Sequence, residues 1–210
     1  MSHLNEVSSS ARPFSEERLL LCEFTHRINN ELASAISLIS IAAARSASDE
    51  VKAALTAVTH RLQNYARVHS ALQMPEQDTS VDAGAYLRQL CQAISLSKLD
   101  SEGIELVLVE RPIRIDSDRC WRLGLIVSEL ITNSARHAFI GRGGVIRVEL
   151  SPSRSFVECS VADNGTAETN VCPGRGLKIV DALAKGLDAK IDQHFGSEGT
   201  TSVIIFPASS

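Results

Sequence analysis

The feature that most constrains the fold is a pair of long segments with helical periodicity near the start of the chain. Neither Gly nor Pro occurs from Ser15 to Arg45, and apolar residues recur there every three or four positions. After a polar break at 46–49, a second segment repeats apolar residues in alternating steps of four and three. These patterns predict two amphipathic helices joined by a short turn. The apolar positions are Leu21, Phe24, Ile28, Leu32, Ala35, Ile39 and Ala42, then Val51, Leu55, Val58, Leu62, Tyr65, His69 and Leu72.

An antiparallel hairpin of this kind cannot cover both apolar stripes by itself. Pairing with a second copy would form a four-helix bundle, which is the economical way to bury them. We therefore expect a homodimer through the hairpin, although the domain that follows could cover the stripes instead.

The rest of the chain alternates between strand and helix patterns, which predicts an α/β sandwich with helices on one face of a mixed sheet. The fold class is thus α+β, with residues 14–75 as the hairpin and 79–208 as the sandwich. Residues 1–13 are polar and are expected to be disordered. Predicted helices are 83–96, 117–139 and 177–187, and predicted strands are 104–109, 113–115, 145–150, 156–162, 189–192 and 202–206.

Charge, cysteine content and apolar run length argue against several classes of protein. The formal net charge is −4 and the basic residues are scattered, which argues against a nucleic-acid partner. The five cysteines are odd in number and form no CxxC pair, so a disulfide or metal framework is not expected. The first residues lack the apolar core of a signal peptide, and apolar runs fall short of the ~18 residues that a membrane span needs. We expect a cytoplasmic protein with reduced thiols and no membrane partner.

Polar residues lie in a row within the predicted helix 117–139. Glu129, Asn133, Arg136 and His137 cluster on one side of this helix, and its other side is apolar. A polar row on an otherwise buried helix costs free energy unless a ligand binds there. A solvated helix face is the ordinary alternative.

Two further segments have residues suited to a ligand. Asp163 ends a predicted strand and precedes Asn164-Gly165, so its carboxylate could accept hydrogen bonds from a ligand amine, although a simple turn would also explain this run. Residues 174–177 form a Gly-rich loop that opens a helix. The free N–H groups and the positive dipole end of a helix suit phosphate oxygens.

In this order, the three segments resemble the nucleotide-binding boxes of the Bergerat-fold ATPases, the group that contains histidine kinases and DNA gyrase. The resemblance covers roughly 106–207, includes a final glycine box at 199–201, and implies ATP and Mg²⁺ as cofactors. It implies that Asn133 binds the Mg²⁺ bridging the phosphates and that Glu129 is an acid or base near the transferred phosphate. It also implies that Asp163 accepts a hydrogen bond from the adenine amine and that Arg136 or His137 adds positive charge near the phosphates. The glycines that would let the backbone wrap the nucleotide are Gly165, Gly174 and Gly176. Leu177 and Thr200 complete the implied binding set.

The hairpin carries a second resemblance, which indicates the branch of this group. The run Thr25-His26-Arg27-Ile28-Asn29-Asn30 is similar to the phosphoacceptor box of histidine kinases whose site begins His-Arg, with Asn four residues on. Residues 60–69 resemble the matching part of the second helix. His26 is two residues from both Phe24 and Ile28, about 200° around a helix, so it should point away from the apolar seam. His69 lies in the seam and is expected to be packed or interfacial.

These resemblances imply a histidine kinase in which a ring nitrogen of His26 attacks the γ-phosphate of Mg-ATP. The phosphoryl group would then pass to an aspartate of a response-regulator receiver domain docked against the hairpin. Arg27 stands where many members have an acid and could orient the transferred group. Asn30 could hold the imidazole or an attacking water.

A second interpretation remains open at this point. Ala167 occupies a position where the family usually has Gly, and the stretch 166–173 is short for a nucleotide lid. The alternative is a histidine phosphotransferase of a phosphorelay with a vestigial ATP-binding domain. A non-catalytic binding module, such as an anti-sigma-type protein kinase or a scaffold, would lack the hairpin.

Overall fold

The computed structural model describes residues 16–74, 80–139, 141–166 and 175–208, so the predicted disordered segment 1–13 lies outside the described residues. The α-helices are α1 (Glu16–Arg45), α2 (Asp49–Ala71), α3 (Ala83–Ile94), α4 (Ser117–His137) and α5 (Arg175–Lys185). The strands are β1 (Ser80–Asp82), β2 (Ile104–Glu110), β3 (Arg114–Asp116), β4 (Gly144–Ser153), β5 (Phe156–Asp163), β6 (Lys190–Gly196) and β7 (Gly199–Pro207).

The predicted helical hairpin is confirmed. Helices α1 and α2 pack against each other, joined by a turn of three residues, 46–48. Ser48 is the N-cap of α2, and its side chain accepts a hydrogen bond from the Val51 backbone N–H at 3.4 Å. Asp49 and Glu50 lie in the first turn of α2, where negative charge is favourable.

The main sheet has five strands in the order β2-β4-β5-β7-β6. Strands β2 and β4 are parallel and the other pairs are antiparallel. Along β4, Ile146 and Val148 are buried while Arg147 and Glu149 are exposed, as expected for a sheet with one covered face. Buried residues of α3, α4 and α5 join those of the sheet in one hydrophobic core, which confirms the predicted sandwich.

Three details of the sandwich differ from the sequence prediction. The predicted strand at 113–115 is present as β3, but it pairs with β1 in a separate two-stranded sheet. The helix predicted for 83–96 ends at Ile94 and continues as a π-helical turn, Ser95–Leu99. The helix predicted to reach about Phe139 ends at His137, and Phe139 itself is buried in the core.

The end of α2 packs on the sandwich, whereas much of the hairpin remains uncovered. Val68, Ala71 and Leu72 pack against the core of the sandwich. Trp121 Nε1 of α4 donates to the Leu72 carbonyl at 2.9 Å, and Asn64 Nδ2 donates to the carbonyl of Leu96 at 2.9 Å. The sandwich therefore covers only the last turns of the stripe on α2. Large apolar side chains left exposed on the hairpin are Leu20, Phe24, Leu38, Ile41, Val51, Val58 and Tyr65.

Candidate functional site

Helix α4 presents the predicted polar row beside a buried apolar side. Asp116 caps the helix by accepting from the Asp118 backbone N–H at 2.9 Å. Glu129 and Asn133 are half-buried, and Arg136 and His137 are exposed in the last turn. The opposite side contributes several completely buried residues, so the helix is fixed in rotation and its polar row lies at the edge of the core. These core residues include Leu123, Ile126, Val127 and Ile131.

Asp163 is the centre of a hydrogen-bond cluster at the end of β5. The residue is only 8% exposed. Oδ1 accepts from the backbone N–H groups of Gly165 at 3.1 Å and Thr200 at 3.2 Å, and Oδ2 accepts from Ser134 Oγ at 2.7 Å. An ionised carboxylate offers about four acceptor positions. Three are used here, which leaves about one for a ligand donor.

Two glycines let the turns around Asp163 approach closely. A Cβ at Gly165 would overlap the side chain and carbonyl oxygen of Ala138, at the end of α4. The neighbouring Thr166 N–H donates to the same carbonyl at 3.0 Å. Gly199 has φ +128°, and a Cβ there would overlap the carbonyl oxygen of Asp163. Gly165 thus permits packing of the strand end on α4, and Gly199 brings the Thr200 N–H to the carboxylate.

Glu129 meets the start of α5. A Cβ at Gly176 would overlap Glu129 Oε1 and would lie 2.9 Å from its Cδ, so the carboxylate rests against the first turn of α5. The following residue, Leu177, is half-buried. A carboxylate at the positive end of a helix dipole is electrostatically favourable. Gly174 and Ala167 lie outside the described residues.

The structure therefore brings most of the predicted site residues of the sandwich together. Asp163, Gly165 and Thr200 form one cluster, and Glu129 with Gly176 forms a second, with Asn133 between them on α4. Sequence reasoning missed Ser134, which donates to Asp163 although the two residues are 29 positions apart. The available signal was a hydroxyl directly after Asn133 in the polar stretch of the helix.

The residues of the two clusters, with Asn133 between them, have the chemistry to hold a nucleotide with its metal. The last acceptor position on Asp163 suits an amine. The absence of a side chain at Gly176 lets the Glu129 carboxylate lie against the N-terminal turn of α5. The Asn133 side-chain oxygen is the type of ligand that Mg²⁺ prefers. Among the described residues no group of three or more His, Cys, Asp and Glu side chains is placed to hold a metal ion.

The hairpin carries the other predicted site residues on α1. His26 and Asn30 are exposed, in agreement with the prediction that His26 points away from the seam. Arg27 Nε lies 2.9 Å from Glu23 Oε1, one turn earlier on the same exposed surface. His69 is half-buried on α2, and its Nδ1 lies 3.0 Å from Asn29 Oδ1. This position agrees with the expectation that His69 lies in the seam as a packed or interfacial residue.

Two family models match the chain. One described as histidine kinase matches residues 23–98, and one described as histidine kinase-like ATPase domain matches residues 76–205. Sensor histidine kinase PdtaS of Mycolicibacterium smegmatis is 27% identical over 219 residues, covering 96% of this chain and 42% of that protein. Blue-light-activated histidine kinase 2 of Erythrobacter litoralis is 29% identical over 201 residues, covering 90% of this chain and 57% of that protein. The chain thus spans about half the length of these curated relatives.

Solved structures share the fold. The histidine kinase domain of the Erythrobacter litoralis EL346 blue-light-activated histidine kinase has a TM-score of 0.62 and 22% identity, covering 91% of this chain and 94% of that one. A bacterial phosphotransferase has a TM-score of 0.59 and 15% identity, covering 89% and 94%. At these identities the likeness concerns the fold alone. Within the described ranges, no helix is both long enough and apolar enough to cross a membrane.

Proposed function

This chain belongs to the histidine kinase family, and from that premise we propose that it transfers the γ-phosphate of Mg-ATP to His26 and then to an aspartate of a response-regulator receiver domain. The observation that carries the nucleotide part is the buried Asp163 carboxylate, whose three protein hydrogen bonds leave about one acceptor position. The adenine amine would occupy that position. We also propose a cytoplasmic setting, because the described cysteines are free thiols.

The phosphate end of the nucleotide would lie towards Glu129 and the start of α5. Asn133 would bind Mg²⁺ through its side-chain oxygen, and the ion would neutralise charge on the phosphates. The N–H groups at the first turn of α5 would bind phosphate oxygens beside the Glu129 carboxylate, which lies against Gly176. Arg136 and His137, in the last turn of α4, would add positive charge nearby.

The reaction at the hairpin would be an in-line displacement. A ring nitrogen of His26 forms a bond to the γ-phosphorus while the bond to the bridging oxygen breaks and ADP leaves. The ring then gives up its N–H proton to Glu129 or to water. Arg27 would orient the phosphoryl group, and Asn30, about one helical turn from His26, would hold the imidazole. A receiver aspartate would later take the phosphoryl group.

Members of this family generally act with response regulators and as dimers, and we propose a homodimer through the hairpin. The exposed apolar residues of α1 and α2 support this, since isolated stripes of this size are covered in stable bundles. Val58→Glu should convert a dimer to a monomer in light scattering. His60→Glu, about 200° around the same helix, should leave it dimeric. A dimer that persists in Val58→Glu would contradict this interface.

The central test is phosphorylation with γ-labelled ATP and Mg²⁺. Wild type should take up acid-labile label, and His26→Ala and Asn133→Ala should not. His60→Ala is the matched control, because His60 is another exposed histidine of the hairpin and should not matter. Label retained by His26→Ala would refute the assignment of the acceptor.

A histidine phosphotransferase with a vestigial ATP site is the second candidate, favoured by Ala167 at a position usually held by Gly. It predicts no label from ATP and no measurable nucleotide binding. It also predicts that His26 takes a phosphoryl group from a phosphorylated receiver domain. The two candidates therefore differ in the source of the phosphoryl group, while His26 is the acceptor in both.

A further inference from the structure

A hydrogen bond joins the two hairpin helices close to the phosphoacceptor. His69 Nδ1 on α2 lies 3.0 Å from Asn29 Oδ1 on α1, and both side chains are half-buried. The residues are forty positions apart in the chain, so the bond is a tertiary contact between the helices. Asn29 lies within the run that resembles a phosphoacceptor box, but that resemblance gives roles to His26, Arg27 and Asn30 and none to Asn29. Its contact with His69 therefore calls for a separate explanation.

The position of Asn29 relates this contact to His26. Three residues correspond to about 300° of helical rotation, so the two side chains leave α1 about 60° apart. Holding Asn29 against α2 therefore sets the direction in which His26 leaves the helix. A rotation of α1 by one residue, about 100°, would break the bond and redirect His26. The bond is thus a rotational constraint on the phosphoacceptor helix.

We propose that His69 is a positioning residue for phosphoryl transfer, which fixes the rotation of α1 through Asn29 and so places His26 for in-line attack. The proposal rests on the proposed role of His26. Because transfer depends on alignment of the attacking atom, a misplacement of about 1 Å can slow it roughly 100-fold. Neither His69 nor Asn29 belongs to the cluster around Asp163. Loss of their bond should therefore lower the maximal rate without changing the KM for ATP.

The bond requires one tautomer of the ring. An amide oxygen only accepts, so a hydrogen bond between His69 Nδ1 and Asn29 Oδ1 needs the hydrogen on Nδ1. In a neutral ring, Nε2 is then unprotonated. Nitrogen NMR of histidine-labelled wild type should show His69 as the Nδ1–H form at neutral pH. A neutral His69 in the Nε2–H form would remove the bond on which the proposal stands and would overturn it.

The kinetic experiment compares a variant that loses the donor with one that keeps it. His69→Leu should lower the maximal rate of His26 labelling by about tenfold or more, with the KM for ATP within about twofold. His69→Asn should recover most of the rate, because its amide N–H can take the place of Nδ1–H. His69→Leu combined with Asn29→Leu should be no slower than His69→Leu alone, since both remove one interaction. His60→Leu, at an exposed histidine of the same helix, is the control.

The outcomes separate a positioning role from packing. Equal losses in His69→Leu and His69→Asn would mean that shape rather than the hydrogen bond matters, and would overturn the proposal, as would an unchanged rate in both. If His69→Leu does not fold, Asn29→Ala and Asn29→Asp test the same bond from α1, and only Asn29→Ala should be slow. Wild type that takes no label from ATP would refute the proposed kinase function and this inference with it. Labelled wild type with unaffected variants would refute this inference alone.

Discussion

Replacing Asp163 by Asn tests the nucleotide site with the least disturbance to the fold. The Asn oxygen can still accept from the backbone N–H groups of Gly165 and Thr200. Its NH₂ group can donate to Ser134 Oγ, because a hydroxyl both donates and accepts. All three protein contacts can therefore be kept. We expect the free energy of unfolding to fall by no more than about 1 kcal/mol.

The loss should appear in nucleotide affinity. The position that the adenine amine would use changes from an acceptor to an N–H donor, so a hydrogen bond to a charged group is lost. Such a bond contributes about 1.5–3 kcal/mol. With a factor of ten for each ~1.4 kcal/mol, the Kd for ATP should rise roughly 10- to 100-fold. Because the amide NH₂ introduced by Asp163→Asn would face the adenine amine, which is also a donor, we expect an increase in Kd of about 100-fold.

Calorimetric titration with Mg-ATP measures this change, and urea unfolding of the same samples reports stability. Asp192→Asn is a matched control, because Asp192 is an exposed carboxylate on the edge strand β6. It should bind ATP as wild type does. An Asp163→Asn variant that is as stable as wild type and binds ATP within twofold of wild type would refute the assignment of Asp163 to the adenine amine.

Three further changes test the packing around the site. Burial raises the pKa of the Cys91 and Cys120 thiols from 9.0 to about 12. The unfolded chain therefore loses these protons at lower pH than the folded protein does. Their contribution to the free energy of unfolding is fully present below about pH 9 and is lost as pH rises through 12. Between pH 7 and pH 10, the free energy of unfolding in urea should change less in the variant with Cys91→Ala and Cys120→Ala than in wild type. An equal change in the two proteins would contradict this. Trp121→Phe removes the hydrogen bond to the Leu72 carbonyl at the end of α2 and should lower the free energy of unfolding by about 1 kcal/mol. Urea unfolding measures this change, and an unchanged midpoint would mean that the bond contributes nothing. Gly199→Ala introduces strain at φ +128° and an overlap with the backbone of β5, so it should lower the free energy of unfolding by about 2 kcal/mol or more in the same assay. The control Gly196→Ala, with no neighbouring atom closer than 3.6 Å to the added Cβ, should lower it less, and equal losses would argue against the strain.

Periodicity and motif order predicted those parts of the structure that depend on residues close together in the sequence. The hairpin follows from apolar spacing and from the Ser48 cap, and the polar row of α4 follows from the spacing of Glu129 and Asn133. The strand end at Asp163 was predicted because Asp-Asn-Gly is typical of a turn.

The features that sequence reasoning missed depend on residues distant in the chain. Arg119 is 6% exposed, and its Nη2 donates to the carbonyls of Leu187 at 2.9 Å and Pro207 at 2.7 Å. A charged side chain is expected at the surface by default, and only the folded partners justify its burial. The pairing of β1 with β3 was missed because three-residue strands are too short to show alternation. The sequence predicted that one hairpin leaves part of its apolar stripes uncovered, but it did not indicate which residues; Phe24 is one of them.

The contact between α2 and the sandwich has a consequence for how the protein can be divided. In sequence, the linker around 75–79 is the natural place to cut, yet Leu72 packs against the core on the far side of that linker. A fragment that begins at residue 79 would expose the apolar surface under Val68, Ala71 and Leu72 and would leave the Trp121 indole N–H without its acceptor. Because α2 contacts the sandwich from Asn64 to its end at Ala71, about two helical turns, this last part of the hairpin should melt together with the nucleotide-binding half, rather than with the rest of α1 and α2.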